Sequence, residues 1–368
     1  MRSFAQKKYR INKKEFIFER TNTQFYSFFS GCGGLDIGAI LNKYSVISSL
    51  DNDSDSIETL KRNKVFGQTE HDIEDIRNID SRSIAELIEK NQASHAYFLG
   101  GPPCQPFSKA GYWQTHKKRK GHKDPKNMID PYLDIIQEVK PDGFILENVE
   151  SILHPKNRGY LEHIQNRICR MNYNLEVFKL NAADFGIPQK RKRVFFIAKK
   201  GQIFNCLETT HGDDKATSKN PRLKHHERVI DWIGEYDDQK YSDGYDSIEG
   251  TYKNELKEIP AGKNYMHLTE RDNHPNPKFI AGKRYWTFLL KLDPNKPSNT
   301  IISAPGHWEG PFHWKNRRLR IKELAAIQSF PCDYNFFGSR RSIIKQIGNA
   351  VPPLLAKKVV KSLIEEKN

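Results

Sequence analysis

The string GGPPCQPFS, Gly100 to Ser108, carries the residue best suited to covalent chemistry. Two prolines stiffen the chain before Cys104 and a third follows Gln105, so the thiol would be presented on a rigid turn. A single cysteine is by default a small buried apolar residue. Apolar packing does not call for a Gly-Gly-Pro-Pro loop, however, and the context favours a nucleophile. A proton donor could work beside it: GFILENV delivers Glu147 and Asn148, and a carboxyl group buried near a thiol has a raised pKa. An ordinary surface acid is the other reading of Glu147, and the apolar run before it argues against that. QKRKR, Gln189 to Arg193, adds cations. It reads either as a solvated basic stretch or as an extended segment whose alternation sends Gln189, Arg191 and Arg193 to one face, able to hold a base and phosphates.

A second constellation suits a nucleotide-like ligand. Phe29-Ser30-Gly31-Cys32-Gly33-Gly34 leads through Leu35 into a helix, and its glycines let the backbone turn tightly and approach a ligand. Alone, such a turn fits plain topology or a dinucleotide site as well as a methyl-donor site. Asp51, followed by Asn52 at the end of the next strand, can accept hydrogen bonds from ribose hydroxyls. Asp72 in HDIEDI either faces the ligand's purine or caps a helix ahead of Ile73.

These residues need a frame, and the hydrophobic pattern supplies one. QFYSFF, SVISSL, AYFLGG, GFILENV, YNLEVFKL and RVFFIAKK read as strands. Between them LDIGAILNKY, DSDSIETLKRN, SRSIAELIEKNQ, PYLDIIQEVK and NRGYLEHIQNRICRMNY read as helices. Alternation of this kind predicts an α/β fold, a doubly wound and mainly parallel sheet whose strand ends carry the ligand. Beyond Gly201 the chain turns polar, with stretches such as HGDDKATSKNPRLKHHER, and periodicity returns only in RIKELAAIQSF and VPPLLAKKVVKSLIEEKN. The expected division is a basic arm over 1–22, a catalytic domain over 23–200 plus 335–368, and a smaller irregular domain with a hinge over 201–334.

Composition narrows the partners. The 368 residues include 60 Lys and Arg against 45 Asp and Glu, a formal charge of +15, which points to a polyanion. No apolar run is long enough to span a bilayer and the N-terminal stretch lacks a signal peptide's apolar segment, so a soluble, cytoplasmic protein without a membrane partner is expected. The five cysteines are widely spaced and suggest neither disulfides nor a metal site.

Taken in order, FSGCGG, GGPPCQPFS, ENV, QKRKR and the C-terminal QIGNAVPP resemble the cytosine-5 DNA methyltransferases, across about Phe28 to Pro353. The resemblance implies a SAM-dependent methyltransferase fold that transfers a methyl group from S-adenosyl-L-methionine to carbon 5 of a flipped-out cytosine in duplex DNA. It implies that Phe29 stacks on the donor's adenine, Asp51 holds its ribose, and Asp72 with Ile73 bind its purine edge, with the turn Ser30 to Leu35, Asn52, Pro103 and Ala350 nearby. It makes Cys104 the nucleophile, Glu147 the contact to cytosine ring nitrogen 3, and Arg193 with Arg191 the groups that orient the base. Asn349 would support both the cofactor side and the Cys104 loop, and the last helix would fold back onto the catalytic domain. DNA contacts are implied for Gln105, Ser108, Lys109, Arg119 and Gln189. The recognition region, about Gly201 to Asn316, has the threonine-aliphatic pair Thr300-Ile301 and candidate base readers near Lys283 and Arg284.

Two departures from the family stand out: Arg320 and Lys322 where threonine and arginine are frequent, and Asn52 where a bulky apolar residue is common. A transfer RNA methyltransferase of the same fold would carry Cys-Phe-Thr where this chain has Cys206-Leu207-Glu208. Amino-group methyltransferases need no thiol, and an inactive DNA-binding homologue would have lost Cys104, Glu147 or the glycine turn. The charge, length and lack of regulatory modules suggest a monomeric prokaryotic enzyme, nucleoid-associated, modifying the sites of a cognate restriction endonuclease.

Overall fold

The computed structural model describes residues 21–103, 127–201, 207–282 and 285–365. The alternation begins with β1 (Thr23–Phe28), α1 (Gly34–Ile40), β2 (Ser45–Asp51), α2 (Ser54–Lys61), β3 (Glu70–Ile73), α3 (Ser81–Lys90) and β4 (His95–Gly100). It continues with α4 (Ile129–Val139), β5 (Gly143–Val149), α5 (Arg158–Arg170), β6 (Asn174–Asn181), the two-residue β7 (Gln189–Lys190) and β8 (Lys192–Lys199).

Seven of these strands form one sheet, ordered β3-β2-β1-β4-β5-β8-β6. Neighbours are parallel except around β8, which runs antiparallel to both β5 and β6. Strand alternation divides the buried side chains between two faces. Phe25, Leu99, Ile145 and Ile197 look to one core, Tyr26, Phe98, Phe144 and Phe196 to the other. Because both faces are covered, the strands read in sequence as continuous apolar runs. The order reverses between β1 and β4, so their C-terminal ends diverge and leave a crevice where such folds bind ligands. The FSGCGG turn follows β1 and Gly101-Pro102-Pro103 follows β4, placing both at that crevice.

Beyond β8 the elements are short: β9 (His211–Gly212), α6 (Asp214–Lys219), β10 (Lys224–His225), α7 (Ile230–Ile233), α8 (Lys253–Glu258) and β11 (Ser298–Asn299). Then come α9 (Ile321–Ile327), α10 (Arg340–Asn349) and α11 (Pro353–Ile364). The cores do not follow the expected boundaries at 200/201 and 334/335. A separate small core of Ile248, Leu256, Ile259, Tyr265, Leu268, Leu289 and Phe312 lies inside that segment. Val229, Ile233, Leu319, Leu324, Ile327 and Phe330, which flank it in sequence, instead share the core of α1 and α11. Among the described residues no helix is long and apolar enough to cross a membrane.

Candidate active site

The crevice opens into a cleft of about 1840 Å³ that brings together residues from most of the chain. Its ligand-turn wall begins at Phe29, whose φ of 54° is a left-handed conformation that costs a bulky residue about 1 kcal/mol or more. Phe29 lines the cleft with Ser30, Gly31, Cys32, Gly34 and Leu35. Gly34 admits no side chain, because a Cβ there would lie 2.2 Å from the carbonyl oxygen of Val351, just after α10. Gly33, at φ 80°, packs against Phe66 and does not line the cleft. The Cys32 thiol is buried 3.4 Å from the Gln346 carbonyl, and burial raises its pKa far above the ordinary thiol range.

Asp51 closes this wall. One carboxylate oxygen accepts from the Gly31 N–H (2.8 Å), the other from the Asp53 N–H (2.9 Å). Burial raises its pKa, against those two donors. Asn52 lines the cleft beside it, exposed. Behind the turn Asp36 is fully buried, accepting from the hydroxyls of Ser27 (2.5 Å) and Ser49 (2.8 Å), and burial pushes its carboxyl up to about 6.

On the opposite wall β5 ends at Glu147. Antiparallel pairing of β5 with β8 sets Arg193 against Val149, and the Arg193 guanidinium reaches Glu147 at 2.9 Å. Burial raises the Glu147 pKa, and the charges of Arg193 and Arg191 oppose it. Asn148 donates from Nδ2 to the Pro102 carbonyl at 3.3 Å, tying the ENV strand end to the segment that precedes Cys104 in sequence. Pro103, Thr300, Asn349 and Ala350 complete the lining. Thr300 donates its hydroxyl to the Lys190 carbonyl (2.8 Å), supporting the parallel β7–β11 pair.

A buried carboxyl whose pKa is raised, an arginine beside it and a glycine turn with a second buried acid in the same cleft suit acid–base work on a bound ligand. Comparison with known proteins decides which. The family described as C-5 cytosine-specific DNA methylase matches residues 23–365. The type II methyltransferase M.SacI of Streptomyces achromogenes is 33% identical over 369 residues, covering 92% of this chain and 92% of that protein. The chain belongs to the C-5 cytosine-specific DNA methylase family. Type II methyltransferase M1.HphI of Haemophilus parahaemolyticus is 27% identical, covering 93% of this chain and 86% of that protein. In fold the chain is similar to the Entamoeba histolytica methyltransferase EhMeth, with a TM-score of 0.62, 15% identity and 94% and 98% of the two chains covered. It is also similar to the S. pombe Dnmt2 methyltransferase, with a TM-score of 0.59, 14% identity and 93% and 98% covered.

As a DNA cytosine-5 methyltransferase, the chain corrects several expectations drawn from its sequence. Asp72 and Ile73 do not reach the cleft of this methylase: they lie on β3, exposed, with Ile73 56% accessible. The strand ends there, so it is the second Asp-Ile of HDIEDI, Asp75-Ile76, that lines the cleft. Asp75 is also the capping residue, accepting from the Arg77 N–H, and Arg77 holds its carboxyl down at about 2. Burial alternates along QKRKR, with Lys190 and Lys192 exposed and Gln189, Arg191 and Arg193 turned inward, so the three do share a face, but it is covered at Gln189 and Arg191. The chain breaks its strand at Arg191 between β7 and β8, and Gln189 turns inward with no exposed surface. Its amide donates to Gln328 (2.9 Å) and accepts from the Ile301 N–H (3.2 Å), so both ends of the amide are engaged within the protein. Arg191 is likewise buried and outside the cleft lining, donating to the carbonyls of Gly348 (2.8 Å) and Asn349 (3.2 Å). Those two bonds tie it to the QIGNAVPP turn. Cys104, Gln105, Ser108, Lys109, Arg119, Lys283 and Arg284 lie outside the described residues.

Sequence reading missed other cleft residues. Asp53 and Lys345, paired at 2.5 Å, both line it although 292 positions separate them. Glu150 pairs with Lys179 at 3.1 Å across the same wall, and its place directly after ENV was a usable signal. Trp286 and Thr287 also face the cleft from the irregular region.

Proposed function

We propose that this methylase transfers a methyl group from S-adenosyl-L-methionine to carbon 5 of a flipped-out cytosine in a specific duplex DNA sequence, through a covalent bond to Cys104. The observation that carries the reading is the buried Glu147–Arg193 pair set into the same cleft as the Phe29 turn and Asp51. The residues fit the donor. A Cβ at Gly31 would meet nothing within 4 Å, which leaves bare backbone facing open space, while Asp51 supplies a carboxylate for hydroxyl donors and Phe29 an aromatic face. S-adenosyl-L-methionine, when bound, supplies an electrophilic methyl on sulfur.

The protein's own task is to make carbon 5 nucleophilic. Addition of the Cys104 thiolate to carbon 6 pushes electrons toward carbon 5 and ring nitrogen 3. Glu147, whose burial favours the protonated form, holds a proton at ring nitrogen 3 and drains that charge. Arg193 fixes the carboxyl through its 2.9 Å contact and offers further N–H donors to the base. Once carbon 5 is methylated, removal of its proton restores the ring and expels the thiolate. A stacked base admits no such approach, so the cytosine must leave the helix to enter the cleft. The cationic side chains Lys179, Lys190 and Lys192 at the rim attract the phosphates beside it.

We assign the biological role to modification within a restriction-modification system, in the cytoplasm, with a cognate endonuclease sharing the target site. Relatives bearing type II names at up to 33% identity support that assignment. The deciding experiment offers duplex DNA containing 5-fluorocytosine at candidate sites. A stable protein–DNA adduct that requires S-adenosyl-L-methionine and is lost in Cys104→Ser is expected. Failure of the wild-type protein to form an adduct on DNA it binds and methylates would overturn the covalent mechanism. Bisulfite sequencing of plasmid from expressing cells identifies the site.

A further inference from the structure

Trp286 is exposed over 67% of its surface, although indole is among the least favourable groups to leave in water. It is not loosely held. Its carbonyl accepts from Asn264 Nδ2 at 2.8 Å, and the neighbouring Thr287 carbonyl accepts from the Gly310 N–H at 2.8 Å. Asn264 is itself buried and caps the turn Tyr265–Leu268, which belongs to the small separate core. A fixed backbone therefore presents a free aromatic face, and it presents it into the cleft that holds Glu147 and Arg193. Tyr285, the preceding residue, is also exposed, at 66%. Lys179, Lys190 and Lys192 line the same cleft, together with Glu147 and Glu150.

We propose that Trp286 is a stacking platform for a nucleobase of the bound DNA. The inference rests on the DNA methyltransferase reading of the same cleft. Every base has a π-face, and opening the duplex for base rotation leaves such faces without their stacking neighbours; a pre-positioned indole replaces that contact at little ordering cost. Electrostatic attraction alone does not require an aromatic side chain, and burial in the protein core does not leave one exposed.

The test compares wild type, Trp286→Ala, Trp286→Leu and Trp286→Phe as full chains on the DNA that the wild type methylates. Binding of Trp286→Ala is expected to weaken roughly 5- to 150-fold, with Trp286→Phe close to wild type and Trp286→Leu close to the alanine variant. S-adenosyl-L-methionine affinity and thermal midpoint should not move, since the side chain packs against little. Wild-type DNA affinity in Trp286→Ala, or Trp286→Leu binding as well as Trp286→Phe, overturns the stacking role. Adduct formation by the wild type on 5-fluorocytosine DNA separates the two readings: its absence sinks the enzyme assignment, whereas its presence with unchanged variants sinks only the role of Trp286.

Discussion

Replacing Glu147 by glutamine tests the chemistry with little disturbance of shape. The amide oxygen can still accept from Arg193, now at 2.9 Å from Glu147, so the wall between β5 and β8 should keep its geometry. What is lost is an exchangeable proton at ring nitrogen 3. Positioned proton transfer is worth roughly 100- to 10,000-fold in rate, or about 3–5 kcal/mol of barrier. Burial of Glu147 raises its pKa, so the protonated form persists to higher pH than in an ordinary glutamic acid, and activity that needs the proton declines as pH rises through the shifted value. Single-turnover methyl transfer across pH, with DNA binding measured in parallel, reads both effects. Glu147→Gln should bind DNA like the wild type, react at least about 100-fold more slowly and lack the alkaline limb of the wild-type profile. A variant within about fivefold of wild type, or one that keeps that limb, would refute the assignment of the proton to Glu147.

Three further perturbations follow from the same geometry. Gly34→Ala places a Cβ 2.2 Å from the Val351 carbonyl, a backbone atom that cannot swing away, and overpacking of this kind costs about 1–3 kcal/mol; thermal midpoint and S-adenosyl-L-methionine affinity by calorimetry should both fall, and unchanged affinity would refute the coupling. Asp36 has a folded-state pKa raised from 3.8 to about 6, so its protonated form is favoured by folding, and its contribution to stability falls by about 3 kcal/mol as pH rises from about 4 to above about 6. Denaturant unfolding should therefore show Asp36→Asn gaining on the wild type over that window, and parallel pH profiles would contradict the raised value. Arg320→Thr removes a buried guanidinium paired with Asp246 (2.8 Å at each of two contacts) and bonded to the Tyr236 and Asp238 carbonyls; a loss of about 2–4 kcal/mol is expected, with adduct formation retained below the melting transition, and an unchanged midpoint would count against it.

Much of the catalytic framework was readable because each element announces itself by one local rule. GFILENV is buried on both faces, so its apolar run and its terminal acid lie adjacent in sequence as well as in space. FSGCGG is legible because a turn this tight needs glycine at fixed positions. HDIEDI resisted the same treatment: it offers two Asp-Ile pairs three positions apart, and only the place where β3 stops decides that Asp75, not Asp72, enters the cleft. QKRKR was legible only in part. Gln189, Arg191 and Arg193 do alternate with the exposed Lys190 and Lys192, but the face they share is covered by the protein at its first two positions, and a local pattern does not record what covers it. The Asp53–Lys345 pair leaves no local trace across 292 positions. The core boundary was hidden too, since Val229 and Ile233 belong to a short apolar cluster, VIDWI, inside a polar stretch, and residues that share their core, such as Leu324 and Ile327, lie far along the chain.

The C-terminal QIGNAVPP turn explains why these scattered pieces form one site. Gly348 lets α10 come so close to the recognition-side segment that a Cβ would meet Ser303 Cα at 2.5 Å, while the Val351 carbonyl presses on Gly34 in the ligand turn. Arg191, just ahead of the strand that carries Arg193, donates to the carbonyls of Gly348 and Asn349. The turn therefore touches, within four residues, the wall formed by the FSGCGG turn, the chain leading into β8 and the segment bearing Thr300. A displacement of the ligand turn must push on the same backbone that Arg191 holds, so the ligand side and the base side of the cleft are mechanically joined. This gives Arg191 a purpose that a direct base contact would not: shortening it should weaken S-adenosyl-L-methionine binding and base orientation together, although the side chain reaches neither.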